Sequence, residues 1–548
     1  MAVKTFYLDK ENRYLHIPIN DKLSDYDYWF INVYFNKEHE HEFFFGITPY
    51  EPDFWVPYYI RPENGDAVTL MCYDNNAPDN LFDGIRVGGP VENHPDLYPN
   101  LYREEQRAQV HFSPARGWMN DPNGLVYYKN QYHMCFQHNP FGQNHGHINV
   151  GWGLALSDDG VHFREYPDAI MPWDSMTHVA SGSAIIDEDN VLGKGKDTLI
   201  AAFTGLRSAE LKGRKNDAIG TRGQYLYYST DGGFTFKPVY KYPVISVDQG
   251  ENWRDPKILR LDDGSFCICV YEIHDGHHGI SFYASKDLKS FEKKSFIYDF
   301  YECPDLFPLI CKETGEKMWI LYGGNGMYLV GDFVDYKFLH LYGDGYLDYG
   351  TAVYAGQTFN NTPGLEERFH IAWFRDRQMT FDYEENQPHG IGFSQCMSLM
   401  CKFTLHKTEN NGYKLFREPV DSFYSLREGT PKLSVLKDGE TYKVTSPSEI
   451  NIKIHGKKDF RLDINGSGIT FTAENDLIYP DNERTQSISM PYDDVSVKIV
   501  TDTRTVEMFI NNEFSCSFSV IEKEKTLKIS GNDIIADIED YSLKSIWS

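Results

Sequence analysis

The feature that most constrains this chain is its punctuation. Apolar periodicity at 3.6 residues is scarce across the 548 residues. Short runs rich in Val, Ile, Tyr and Phe are instead cut by Gly, Asp and Asn, the pattern of strands joined by tight turns. Such a chain folds as an all-β protein. Three segments carry one mark: Ser157-Asp158-Asp159-Gly160-Val161-His162-Phe163, Ser229-Thr230-Asp231-Gly232-Gly233-Phe234 and Ser285-Lys286-Asp287-Leu288-Lys289-Ser290-Phe291. Each reads as a strand ending in Ser, a tight Asp-Gly-type turn, and an aromatic residue opening the next strand. Their intervals of 72 and 56 residues fit insertion-bearing propeller blades better than a solenoid.

Residues 1–105 have strand-like runs of their own at Trp29–Phe35, Glu42–Ile47 and Ala67–Cys72, and close on the Pro- and Asn-bearing stretch Gly88–Asn100. This predicts a separate N-terminal β domain with a linker. From about residue 425 the chain alternates again, as in Val495-Ser496-Val497-Lys498-Ile499-Val500 and Thr505-Val506-Glu507-Met508-Phe509-Ile510. Period-two alternation with one polar face predicts a β-sandwich over 425–548. Composition narrows the partners. Asp and Glu number 80 against 53 Lys and Arg, a formal charge of −27, so nucleic acid and anionic membrane surfaces are repelled. The start of the chain lacks an apolar signal core and no run of about 18 apolar residues occurs. Nine cysteines, an odd number without dense spacing, do not form a secreted disulfide framework. The expected location is the cytoplasm.

The chemistry concentrates in three acidic elements. Gly117-Trp118-Met119-Asn120-Asp121-Pro122-Asn123-Gly124 offers an acid, an amide and an aromatic ring to one pocket, with Pro122 biasing Asp121 toward extended backbone. Taken alone it is also a sound turn, Asp121 and Asn123 capping amides. Trp253-Arg254-Asp255-Pro256 and Tyr301-Glu302-Cys303-Pro304-Asp305 place two further acids at strand ends. In a propeller the innermost strands converge on one axis, so all three acids can meet. Converging carboxylates raise one another's pKa, a strain tolerated for catalysis.

With these residues in view, the chain resembles glycoside hydrolase family 32, the β-fructosidases that include invertases, inulinases and levanases. The resemblance rests on Trp118–Gly124, Arg254-Asp255-Pro256 and Glu302-Cys303-Pro304-Asp305. It is supported by Phe136-Gln137-His138-Asn139-Pro140, Ser181-Gly182-Ser183-Ala184, Phe203-Thr204-Gly205 and Leu347-Asp348-Tyr349-Gly350. It implies a five-bladed β-propeller over 106–415 followed by the C-terminal β-sandwich. Residues 1–105 resemble only the extra domain of some bacterial members. It also implies Asp121 as nucleophile, Glu302 as general acid/base and Asp255 as the carboxylate that holds fructose hydroxyls, with no metal or cofactor.

The residues agree with that division of roles. Glu302 has the more apolar sequence neighbours, whereas Asp121 sits between two Asn side chains. Arg254 is expected to orient Asp255 or bind hydroxyls, and Asn120, Gln137, Ser181, Trp118 and Trp373 to line the pocket. The expected activity is retaining hydrolysis that releases terminal fructosyl units from sucrose or fructo-oligosaccharides. A fructosyltransferase, or a fructan-binding protein without turnover, are the alternatives. Where members of the family carry an aromatic residue, a histidine and a phenylalanine, this chain has His145, Leu154 and Ala180, so two aromatic walls are expected to be missing or replaced. The basic stretch holding Arg207, Lys212, Arg214, Lys215 and Arg222 is either a solvated loop or a phosphate-binding rim. His274-Asp275-Gly276-His277-His278 reads as an exposed loop and not as a metal site.

Overall fold

The computed structural model describes residues 1–20, 28–143, 145, 149–173, 177–207, 210–211, 214–215, 223–246, 253–376, 392–408, 412–475, 477–480, 488–489 and 493–547. Among them helix is confined to short 3-10 turns, and no helix is long and apolar enough to cross a membrane.

Five antiparallel sheets follow one another between Gly117 and Pro419. Their first strands are Gly117–Tyr128, Thr177–Ile186, Arg254–Arg260, Asp305–Ile310 and Val353–Thr358. These strands form the inside of a ring. The first packs against the second, the second against the third, and the fifth returns to the first. Closure is tied by a late segment: Phe393–Ser394 pairs in parallel with Gly117–Trp118, while Cys396–Met397 pairs with the second strand of the fifth sheet.

The middle of the ring is polar and buried. Lys257 Nζ lies 2.9 Å from Asp305 Oδ1 and donates to the Thr358 carbonyl at 3.0 Å, and the Thr358 amide donates to Asp305 Oδ2 at 2.6 Å. Asn360 Nδ2 donates to the carbonyls of Ala184 and Ile258, and Ser183 Oγ donates to that of Pro256. Each bond crosses between sheets. A buried charge is tolerated because every partner is itself held, and the network fixes the strands relative to one another.

The sequence repeat has a structural counterpart. In the first three sheets the connection from third to fourth strand folds around the Ser and the Asp. Ser157, Ser229 and Ser285 Oγ accept from the amides of Gly160, Gly233 and Leu288, and Asp159, Asp231 and Asp287 accept from amides two to four residues on. These are side-chain-built turns, longer than the tight Asp-Gly hairpin expected.

On the N-terminal side, Ala2–Tyr7, Ala67–Cys72, Trp29–Phe35 and Glu38–Phe45 form a four-stranded sheet beside a three-stranded one of Phe54–Tyr59, Tyr14–Ile19 and Arg86–Gly88, with one apolar core between them. This part docks on the ring through Phe141, which stacks on Phe45 at 4.3 Å, and through Asn149, which exchanges two hydrogen bonds with the Phe44 backbone. At the C-terminal end, two six-stranded sheets enclose a core of Ile, Val, Leu and Phe, the arrangement of a sandwich.

Candidate active site

The acids meet where the inner strands lose register. Pairing slips by one residue or more between Met119 and Pro122, Val179 and Gly182, Arg254 and Lys257, and Tyr354 and Gln357. Four of the five inner strands therefore carry a bulge at the same depth, and the bulged residues are Asn120-Asp121, Ala180-Ser181, Asp255-Pro256 and Ala355-Gly356. A bulge releases side chains from the in-out alternation and re-aims them. The fourth inner strand supplies its acid just before it begins, from Glu302-Cys303. Asp255, Glu302 and Cys303 have φ of 64°, 37° and 39°, a region that costs non-glycine residues about 1–3 kcal/mol each.

Asp121 is held by donors. Ser181 Oγ donates to its Oδ2 at 2.6 Å and Asn120 Nδ2 to its Oδ1 at 3.1 Å. Asn120 is in turn fixed by the Trp118 indole, which donates to its Oδ1 at 2.9 Å. Only one of the two flanking asparagines solvates Asp121, because Asn123 Oδ1 accepts from the Gly182 amide instead. Burial raises the pKa of Asp121, with the Ser181 and Asn120 bonds opposing that rise and the charge of Glu302 adding to it.

Glu302 corrects one expectation. Its contacts are not apolar: Arg254 Nη2 donates to Oε1 at 2.7 Å and the Tyr354 hydroxyl to Oε2 at 3.1 Å. Its side chain keeps 20% exposure, against 4% for Asp255, so Glu302, like the partly exposed Asp121, reaches the open side. Asp255 accepts from the Cys303 amide at 3.1 Å. The Cys303 thiol lies 3.5 Å from both Asp255 Oδ2 and Asp121 Oδ2, which places it between the two carboxylates. Burial pushes Asp255 up to about 7, opposed by Arg254 and reinforced by Glu302 and Asp121. Between its ordinary 3.8 and about 7 the folded chain binds a proton that the unfolded chain lacks, so the stability contributed by this group falls as pH rises through that window.

The remaining expected pocket residues divide. Asn120, Ser181 and Arg254 touch the acids. Trp118 and Trp373 are 0% and 4% exposed. Their rings meet edge to face at 5.9 Å, and Trp373 donates to Gln395 Oε1. The expected sugar contact of these two tryptophans is therefore corrected: neither has an open face, and they brace Asn120 and Tyr354. Gln137 is 1% exposed. It donates to the Val179 carbonyl and accepts from His178 Nε2, so it too acts behind the surface.

The replaced walls are visible. The His145 ring lies 6.4 Å from Trp118 and 5.1 Å from His178, Leu154 is buried core, and the Ala180 carbonyl accepts from Trp152. Tyr354 and Cys303 are the site residues that sequence reasoning missed. Cys303 lay inside the quoted Glu302-Cys303-Pro304 motif, whereas nothing in the local sequence marks Tyr354. In the basic stretch, Glu210–Leu211 pairs with Arg214–Lys215, while Lys212, Arg222 and the side chains of Arg207, Arg214 and Lys215 lie outside the described residues.

An all-β ring with a sandwich at its C-terminal end, two carboxylates on bulged inner strands and a third just ahead of the fourth inner strand define a carbohydrate-cleaving type of site. The comparisons agree. Residues 111–419 match the model of the glycosyl hydrolases family 32 N-terminal domain, and the chain belongs to that family; it is a glycoside hydrolase. It is 27% identical to an invertase of Schizosaccharomyces pombe, over 88% of this chain and 86% of that one, and 26% identical to a levanase of Bacillus subtilis, over 82% and 72%. Among solved structures, the exo-inulinase from Aspergillus awamori superposes with a TM-score of 0.69 at 22% identity, covering 81% of this chain and all of the other.

Proposed function

We propose that the chain is a retaining β-fructosidase acting on sucrose or fructo-oligosaccharides, with the ring of five sheets as a five-bladed propeller, residues 425–548 as its sandwich and residues 1–105 as an accessory domain. The observation that carries the reading is the division of environment among the acids. Asp121 is held by the small neutral donors Ser181 and Asn120, and Glu302 by the Arg254 guanidinium and the Tyr354 hydroxyl. The names of the relatives, an invertase, a levanase and an exo-inulinase, support the substrate class.

In this mechanism an Asp121 carboxylate oxygen bonds to the anomeric carbon of the terminal fructosyl unit. The glycosidic C–O bond breaks, and its electron pair goes to the leaving oxygen, which takes the proton of Glu302. The ionised Glu302 then removes a proton from water. The water oxygen bonds to the anomeric carbon and the ester to Asp121 breaks, restoring both acids. Asp255 accepts hydrogen bonds from fructosyl hydroxyls, Arg254 orients Glu302, and the Cys303 amide fixes Asp255.

Replacing Asp121 or Glu302 by Ala should lower kcat on sucrose by about 10²-fold or more while leaving the circular dichroism spectrum unchanged. Wild-type turnover in either variant ends this reading. Product analysis at high sucrose reads which acceptor takes the ester: chiefly free fructose means water, and chiefly longer oligosaccharides would mean transfer and overturn hydrolysis.

A further inference from the structure

A second cavity, of about 480 Å³, lies between the N-terminal sheets and the outer edge of the first ring sheet. That is within the size range of small-ligand sites. Five tyrosines line it: Tyr14, Tyr58 and Tyr59 from the N-terminal sheets, Tyr102 from the segment ahead of the ring, and Tyr166 from the ring. All five are half-buried, and Tyr14 and Tyr59 lie 4.9 Å apart.

Between these rings stand two braced carboxylates. Glu165 Oε2 accepts from the Ala115 amide at 2.6 Å and the Tyr102 hydroxyl at 3.3 Å, and Asp168 Oδ1 takes a 2.7 Å bond from His138 Nδ1. Their other oxygens take no hydrogen bond from the described residues. Partly buried acceptors without donors call for a ligand or water that supplies them.

Arg61 enters from the N-terminal side, with Nη2 bonded to the carbonyls of Asp168 and Phe234. Burial pulls the pKa of His138 down, but Asp168 more than offsets this and holds it at about 9. Arg61, Arg164 and His138 face Glu165, Asp168 and Glu92. Arg116, which also borders the cavity, shares Glu104 with Arg107. Charges of both signs line the cavity, so neither an anion nor a cation meets a surface of one opposite sign. The lining suits a neutral molecule rich in hydroxyl donors, whose ring faces lie on the tyrosines and whose hydroxyls reach the carboxylates.

We propose that this cavity is a second saccharide site, binding a neutral oligosaccharide between the N-terminal sheets and the ring. It flanks the outermost strand, Arg164–Ile170, of the sheet whose first strand carries Asp121. Three strand spacings separate the two strands, about 14 Å laterally. That the bound sugar is a fructan rests on the proposed function; the presence of a second site does not.

The test is calorimetric titration of the full chain carrying Asp121→Ala with the trisaccharide 1-kestose, repeated after adding Tyr58→Phe or Tyr166→Ala. Two sites are expected. Tyr58→Phe should weaken only one of them, about fivefold through the lost hydroxyl, and Tyr166→Ala should weaken the same one about tenfold through the lost ring. Tyr58→Phe keeps the shape of the side chain, and unchanged thermal midpoints confirm that each variant is folded. One site, insensitive to both changes, overturns the proposal. A chain that hydrolyses no fructoside but still shows a site lost with Tyr166 would sink the catalytic reading and leave this one standing.

Discussion

Ser181 shows how a small side chain sets the chemistry of a large site. Its hydroxyl is one of two side-chain oxygen or nitrogen donors to Asp121 among the described residues, and it favours the ionised form that nucleophilic attack requires. Ser181→Ala should therefore raise the pKa of Asp121 further and move the acidic limb of the kcat/KM profile to higher pH. We expect kcat at pH 5 to fall about tenfold, the loss of a hydrogen bond to a charged group, with a smaller loss at pH 8. A pH–rate profile that drops uniformly at all pH values would contradict this. Much of the residue-scale site was legible beforehand, because Asp121, Asp255, Glu302 and Arg254 sit in short motifs whose residue types are unusual together. What was not legible is contact between distant positions. The Tyr354 hydroxyl reaches Glu302 across 52 residues, and an apolar run around Glu302 in sequence says nothing of the guanidinium that folding brings to it.

At the scale of the element, the bulged inner strands depend on close backbone approach. Gly182 follows Ser181, and a Cβ built there would meet the Ala202 carbonyl oxygen at 2.0 Å. The obstacle is backbone of the neighbouring strand, so it cannot swing aside. Gly182→Ala should cost about 3 kcal/mol or more and displace Ser181 together with the Gly182 amide that holds Asn123. Differential scanning calorimetry should show a lowered midpoint, with residual activity also reduced in the fraction still folded; an unshifted midpoint would mean that the strands have room the geometry denies. The turns explain which sheets the sequence repeat revealed. In the first three, a Ser and an Asp build the outer connection and leave a readable mark. In the fourth sheet that connection is only Asp335-Tyr336, both at positive φ, and in the fifth the third strand ends at Thr408 and the fourth begins at Gly412. The fourth sheet was invisible to the repeat because a different turn closes it.

On the whole-molecule scale, the sandwich is wired into the ring by a buried ionic cluster. His111, just ahead of the first ring strand, lies 2.9 Å from Asp502 and 3.1 Å from Glu507, and Glu507 also pairs with Arg417 of the fifth sheet at 3.0 Å. Burial alone would lower the pKa of His111, but the bonds to Asp502 and Glu507 outweigh it and hold it at about 9. A histidine raised above its usual 6.5 contributes fully below that pH and loses the contribution as pH rises through about 9. His111→Gln should thus destabilise by about 3 kcal/mol near pH 6, and the difference from the parent chain should shrink toward pH 10; thermal unfolding at the two pH values checks this. No periodicity or motif announces this cluster, since His111 lies almost 400 residues from Asp502 and Glu507, and Arg417 lies 90 from Glu507.

The same wiring has a consequence for how the protein is made. Glu507 accepts from the Leu399 amide as well as from Arg417, and Asp502 from the amides of Gln109 and Val110. The two ends of the ring are thus both anchored by a segment that leaves the ribosome about 90 residues after the last ring strand. During synthesis the ring strands precede this clasp, with His111, Arg417 and the amides of Gln109, Val110 and Leu399 awaiting partners not yet translated. A message truncated before Asp502 would yield such a chain, and it would be a client for chaperones and proteases rather than a slower enzyme.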